Sequence, residues 1–230
     1  NGEKEWSTEE NIAQIAAAGY QGILGRLPEA GQTGIWRKLI DEYGFTFGLE
    51  AFPADRAQFR SFLREARDFG ADYINAQVQD SFVTGPAAVA LLEGLLEEAS
   101  LAGIPVFVET HRGRITQDLL RTIDYVRNIP QLYLTIDLSH YVLAGEMSRD
   151  TEKADPWFDV LLQRTACIHG RVSNGQQIQI DVGPRGDHPM AAHFMRWWET
   201  GMRYWLAKAG PGDMLPFVCE LGPKPYALSR

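Results

Sequence analysis

The sequence predicts an α/β fold in which parallel strands close into a barrel of the TIM (β/α)8 type, with the first strand missing or lying outside the chain start. Three observations carry this expectation. Short apolar runs alternate with amphipathic helical stretches along the chain, the pattern of parallel strands joined by right-handed crossovers. No GxGxxG or P-loop motif follows an early strand, which argues against an open, doubly wound sheet. The 230 residues, 45% of them apolar, contain no linker, low-complexity tract or short-period repeat, so 1–230 reads as one barrel domain.

The elements follow in order. Ser7-Thr8-Glu9-Glu10 reads as a capping box. The helix behind it carries Ile12, Ile15, Ala16 and Ala18, stops at Gly19, and leads to a strand over residues 21–24. A helix over 36–43 ends at Gly44 before a strand over 45–52. A helix over 56–69 precedes a strand over 72–78. Pro86 opens a helix through Leu91, Leu92, Leu95 and Leu96, followed by a strand over 104–110. Thr116 caps a helix through Leu119, Leu120 and Ile123, followed by a strand over 132–138. Asp155-Pro156 reads as an N-cap with proline at the first helical position, and that helix leads to a strand over 167–172. A Trp-rich helix over 189–209 leads to the last strand, over 215–221. Since the chain opens on a helix, the eighth strand of a closed barrel is expected before Asn1 or within the first few residues.

Charge and cysteine content narrow the function classes. The 22 basic and 30 acidic residues give a net charge of −8, without a Lys/Arg run, which excludes a basic nucleic-acid-binding face. Such a field mildly opposes an anionic substrate unless a local arginine offsets it. Two cysteines, Cys167 and Cys219, fit a reduced, cytoplasmic protein. No apolar run approaches the roughly 18 residues of a membrane span, so no membrane partner is expected. No signal peptide is visible, and the chain starts at Asn1.

In a barrel, chemistry gathers at the C-terminal strand ends. Four consecutive predicted strands end, each after apolar residues, in Glu109, Asp137, His169 and Glu220. One carboxylate at a strand end reads equally well as a helix cap, but four such residues at matching depth form a hard, anionic square suited to one divalent ion of the Mn, Mg, Co or Zn kind. Without an ion, the three carboxylates would repel one another and resist ionisation. His111 and His140 fall at the same ends, and Arg171 lies two residues after His169. The arginine reads either as an anchor for an anionic or hydroxyl-rich substrate or as a structural ion pair in the barrel mouth. Glu50 reads as a substrate contact or a solvent-facing cap, and Arg112 and Arg114 fall on the loop after the Glu109 strand. His188 and His193 read as surface or packing residues, and the two cysteines as small buried hydrophobes. Trp197, Trp198 and Trp205 read as packing the last helix on the barrel or on a partner subunit, a candidate homo-oligomer interface.

The ordered pieces Val108-Glu109-Thr110-His111, Ile136-Asp137-Leu138-Ser139-His140, Ile168-His169-Gly170-Arg171-Val172 and Cys219-Glu220-Leu221-Gly222-Pro223 resemble the xylose isomerase-like TIM barrels, the sugar phosphate isomerase/epimerase family. The resemblance spans nearly the whole chain and is sharp from Val106 onward. It implies that Glu109, Asp137, His169 and Glu220 bind one divalent metal, that His140 fills the place of the second histidine after the aspartate, and that Arg171 fills the place of the arginine after the ligand histidine. It implies a small-molecule carbohydrate substrate, a sugar or sugar phosphate, and an isomerase or epimerase acting by proton transfer next to a carbonyl, through a metal-stabilised enediolate. Glu109 and Glu220, on opposite sides of the ion in the family, would be the catalytic acid and base, with Arg171 and His111 binding substrate and His140 either binding substrate or orienting Asp137. Two alternatives stay open: a metal-dependent dehydratase of a cyclic polyol or shikimate-like acid, and a non-catalytic sugar-binding barrel. The family's endonuclease branch uses more histidine ligands and basic DNA-facing loops, which this sequence lacks.

Overall fold

The computed structural model describes residues 6–148 and 151–220. Seven parallel strands pair in chain order: β1 (Gly22–Gly25), β2 (Thr46–Ala51), β3 (Tyr73–Ala76), β4 (Val106–Glu109), β5 (Leu134–Ile136), β6 (Thr165–His169) and β7 (Phe217–Val218). Around them run α1 (Thr8–Ala17), α2 (Thr33–Tyr43), α3 (Arg56–Phe69), α4 (Gly85–Ala102), α5 (Leu119–Asn128), α6 (Ser139–Ala144), α7 (Asp155–Leu162) and α8 (Pro189–Leu206). The result is a nearly closed α/β barrel of the TIM type. Among the described residues no ladder joins β7 to β1, and no eighth strand is present. An apolar cavity of about 450 Å³ occupies this seam, lined by Ile15, Tyr20, Leu24 and Phe217 among others.

Strand alternation sorts side chains between the two faces. On β2, Phe47 faces outward and meets Trp36 of α2 and Phe69 of α3 at ring distances of 5.6 and 5.4 Å. Gly48 and Glu50 lie on the opposite, inward face. A Cβ on Gly48 would run into the ring of Tyr73, so the glycine makes room for a large side chain inside the barrel. Tyr73 stacks on Phe107 at 5.7 Å. These rings fill the barrel below the polar strand ends.

Local signals set most helix starts. Ser7 Oγ accepts from the Glu10 amide, and the Glu10 carboxylate accepts from the Ser7 amide, the capping box expected. Two expected caps differ. Asp118, not Thr116, caps α5 by accepting from the Arg121 amide. Thr116 is fully buried and instead donates to the Glu109 carbonyl at 2.5 Å, where it braces the end of β4. Asp155 lies inside the first turn of α7, where it accepts from Arg196 and Trp197 of α8. Two short pieces were not anticipated: α6, directly after Asp137, and a 3-10 turn over Thr151–Ala154. Strand β6 stops at His169, two residues before Arg171, and of the predicted last strand only Phe217–Val218 pairs. Leu221, Gly222 and Pro223, the end of the Cys219–Pro223 motif, lie outside the described residues.

Trp197 is buried against Phe158 and Phe194, and Trp198 meets Phe217 at 5.4 Å, so α8 packs on the barrel through its aromatic face. Cys167 is buried as expected, whereas Cys219 is exposed, because it follows the short edge strand beside the open seam. No described helix is long and apolar enough to cross a membrane.

Candidate metal centre

Glu109 is the last residue of β4, Asp137 follows β5, His169 ends β6, and Glu220 comes two residues after β7. The parallel ladders place these ends side by side. One ligand atom from each of the four residues lies within 4.8 Å of the others. Glu109, Asp137 and His169 are almost wholly buried, and the Glu220 side chain is 31% exposed.

Protein partners hold one oxygen of each glutamate and both oxygens of Asp137. Glu109 Oε2 accepts from Asn75 Nδ2 at 2.6 Å and from Gln77 Nε2 at 3.0 Å. Asp137 Oδ1 accepts from the Ser139 amide and hydroxyl, at 2.9 and 2.5 Å. Arg171, whose side chain is 2% exposed, donates to Asp137 Oδ2 at 2.5 Å and lies 2.7 Å from Glu220 Oε1 through its other terminal nitrogen. Its Nε donates to Ser139 Oγ at 3.1 Å.

The remaining atoms point at one another. Glu109 Oε1, Glu220 Oε2 and both ring nitrogens of His169 are buried and lack hydrogen-bond partners. His169 Nδ1 stands 2.9 Å from Glu220 Oε2 and 3.8 Å from Glu109 Oε1, within ion-pair distance of both carboxylates when the ring is protonated. Bonds of about 2.1 Å to a shared cation put neighbouring ligand atoms about 3 Å apart. Orphaned buried acceptors are costly, so this donor set fits a divalent ion bound by Glu109, Asp137, His169 and Glu220.

Burial and mutual charge shift the ionisable groups of the cluster; against burial, the Glu109 and Glu220 carboxylates raise His169 well above the usual imidazole range. Burial pushes the Glu109 carboxyl up to about 7, with His169 opposing and Asp137 and Glu220 adding to the rise. Burial also raises Asp137 despite Arg171 beside it. Burial lowers His111 to about 4, and lowers His140 further with help from His111 and Arg171, so both rings are neutral at pH 7. Their centroids are 4.0 Å apart, and one nitrogen of each stands within 4.8 Å of a Glu109 oxygen. The sequence-predicted residues Glu109, His111, Asp137, His140, His169, Arg171 and Glu220 therefore occupy one cluster. His188 and His193 stand apart from it: His188 caps α8 and His193 pairs with Thr151.

No protein-family model and no curated protein matches the chain. Solved structures do. A xylose isomerase-like TIM barrel/4-hydroxyphenylpyruvate dioxygenase fusion protein aligns with a TM-score of 0.62 and 16% identity over 98% of this chain and 38% of its own. A sugar phosphate isomerase/epimerase from Parabacteroides distasonis aligns with a TM-score of 0.58 and 11% identity over 96% of this chain and 87% of its own. The chain shares the TIM-barrel fold of these proteins. A probable 3-DHS dehydratase from Bacillus anthracis, AsbF, shares it with a TM-score of 0.59 and 13% identity, over 96% of this chain and 90% of its own.

Within that fold, three supports of the site escaped the sequence reading: Asn75, Ser139 and Thr116. Asn75 had a visible signal, a polar residue on the inward face of the otherwise apolar β3. Ser139 and Thr116 had none, since hydroxyl residues near strand ends are common in loops and caps.

Proposed function

We propose that this protein is an isomerase or epimerase of a small carbohydrate that moves a proton on the carbon next to a carbonyl and uses one divalent metal ion. The observation that carries the reading is the convergence of ligand atoms from Glu109, Asp137, His169 and Glu220 at consecutive strand ends, with Glu109 Oε1, Glu220 Oε2 and both His169 nitrogens lacking hydrogen bonds. These four residues would hold the ion. When bound, it supplies a Lewis acid toward the carbonyl and neighbouring hydroxyl oxygens of a substrate.

The proton transfers fall to the two glutamates. Each has one oxygen tied to the protein and the other open toward the site: Glu109 through Asn75 and Gln77, Glu220 through Arg171. The oxygen turned to the ion keeps a second lone pair, through which an anchored carboxylate can take a proton from carbon without losing its position. With one glutamate removing the proton and the other returning it, the face of return separates the possible products. His111 and His140, both neutral, offer ring nitrogens to substrate hydroxyls. Arg171 acts as a positioning residue, since its guanidinium ties Asp137 to Glu220.

The test is metal content of the purified protein beside Glu220→Ala. We expect about one equivalent of divalent metal in the wild type and little in the variant. Wild-type protein that takes up neither Mn nor Zn on titration would remove the basis of the reading. With metal bound, assays on sugars, sugar phosphates and cyclic hydroxy acids separate isomerisation from dehydration by whether water is lost from the product.

A further inference from the structure

Beside the metal centre, on the same inward face, lies a second cluster that the proton chemistry leaves unused. Arg26 follows β1, one residue beyond the Gly25–Leu49 pair of the β1–β2 ladder. Glu50, its neighbour on β2, pairs in register with Asn75 on β3, whose side chain holds Glu109. Arg114 reaches in from the loop after β4. Both guanidiniums lie over the ring of Phe52, each with its central carbon 5.3 Å from the ring centroid. Together with Leu27 and Phe62 they line a cavity of about 480 Å³.

The two cations are therefore no farther apart than twice 5.3 Å, with one carboxylate nearby: Glu50 Oε2 stands 3.7 Å from Arg26 Nε. The cluster carries one net positive charge in a chain whose net charge is −8. Holding two arginines together costs electrostatic energy, which a shared anion relieves. Guanidiniums bind phosphate and carboxylate oxygens in pairs, and the ring of Phe52 keeps both planes oriented. Arg114 is aimed by two contacts from the β3 end: its Nε donates to Gln77 Oε1 at 3.2 Å, and its Nη1 donates to the carbonyl of Gln79. Gln79 holds a left-handed backbone, φ 47°, that few non-glycine residues adopt. Gln77 passes its other amide atom to Glu109 Oε2 at 3.0 Å. One amide group thus separates the arginine cluster from the metal centre, a span that a short carbohydrate covers.

We propose that Arg26 and Arg114 form an anion subsite for a phosphate or carboxylate group carried on a substrate whose reacting end sits at the four ligands. Only the position of the reacting end, at the four ligands, rests on the function proposed above. Specificity for the charged group resides in the arginine pair, which touches none of the four ligands directly.

Inorganic phosphate titrated into chelator-treated protein tests this, followed by calorimetry, with R26Q/R114Q beside the wild type. R185Q serves as control, because the Arg185 side chain is 83% exposed and pairs with Asp187 away from the cavity. We expect binding at least tenfold weaker in the double variant and unchanged in R185Q. Should the double variant fail to fold, R26Q alone decides, since the Arg26 side chain is 77% exposed and weakens binding without a folding cost. Acetate in place of phosphate distinguishes the ester from the acid: tighter phosphate binding points to a sugar phosphate, tighter acetate binding to a sugar acid, and either supports the subsite. Equal binding of both anions by wild type and double variant overturns it, as does an equal loss in R185Q. Metal content, measured on separate untreated samples, reports on the metal centre independently. A chain that binds phosphate through the arginine pair yet takes up no metal keeps the anion subsite and loses the isomerase reading.

Discussion

Asn75 shows how a single side chain tunes the site. It is fully buried, and its amide donates at 2.6 Å to the Glu109 oxygen that faces away from the other ligands. Such partners fix the direction of a ligand's remaining lone pairs, and their loss typically weakens metal binding about 10–100-fold. Asn75→Ala is expected to lower metal affinity by that order while the ligand set stays complete, as measured by competition with a chelating dye. An unchanged affinity would show that Gln77 alone orients Glu109. At this scale the sequence exposed the ligand types, because Glu, Asp, His and Glu after apolar runs are visible one residue at a time. Arg171 shows what was hidden. Its spacing after His169 was legible, but its pairing with both Asp137 and Glu220 depends on where the chain turns after β6.

Between elements, α3 and α4 are tied by a nearly buried carboxylate. Glu98 on α4, 3% exposed, accepts from Arg56 Nε at 2.5 Å and from Arg60 Nε and Nη2 at 2.7 Å. The Arg60 and Arg56 bonds, against the cost of burial, lower its carboxyl to about 2. An unfolded glutamate titrates near about 4.3. The folded value lies below it, so the stabilisation is complete above about 4.3 and fades as the pH falls toward 2. Thermal unfolding of Glu98→Gln beside the wild type should show a gap in melting temperature at pH 7 that narrows between pH 5 and 2. A gap independent of pH would assign the effect to packing instead. The helices themselves were legible from periodicity and caps. The α3–α4 tie was not, since residues 56, 60 and 98 meet only once both helices lie on adjacent strands.

Among the described residues the barrel has one weak line, the seam between β1 and β7. Every other strand is paired on both sides, whereas these two face an apolar cavity across an unpaired edge. Opening is expected to begin where fewest ladders must break. Native-state hydrogen exchange should therefore find the β1 and β7 amides less protected than those of Ile74 on β3 and Val108 on β4, by about tenfold or more. Equal protection throughout would show that the seam is closed in solution. The helix–strand alternation foretold parallel strands in chain order, and the expectation that the chain opens on a helix agrees with α1 preceding β1.

What the sequence by itself determined is what depends on near neighbours: the helix and strand periods, the Ser7 capping box, and the polar residues that end each strand. Chain order then made those ends adjacent, because parallel strands with short crossovers pair with their successors. Only the tertiary structure decided which atoms of those residues stay unpaired, that Asn75 and Gln77 hold Glu109, and that Arg26 and Arg114 meet over Phe52. These facts join positions tens of residues apart through ladder register and side-chain direction. Both arise when the barrel curls, and neither is written in any local stretch of chain.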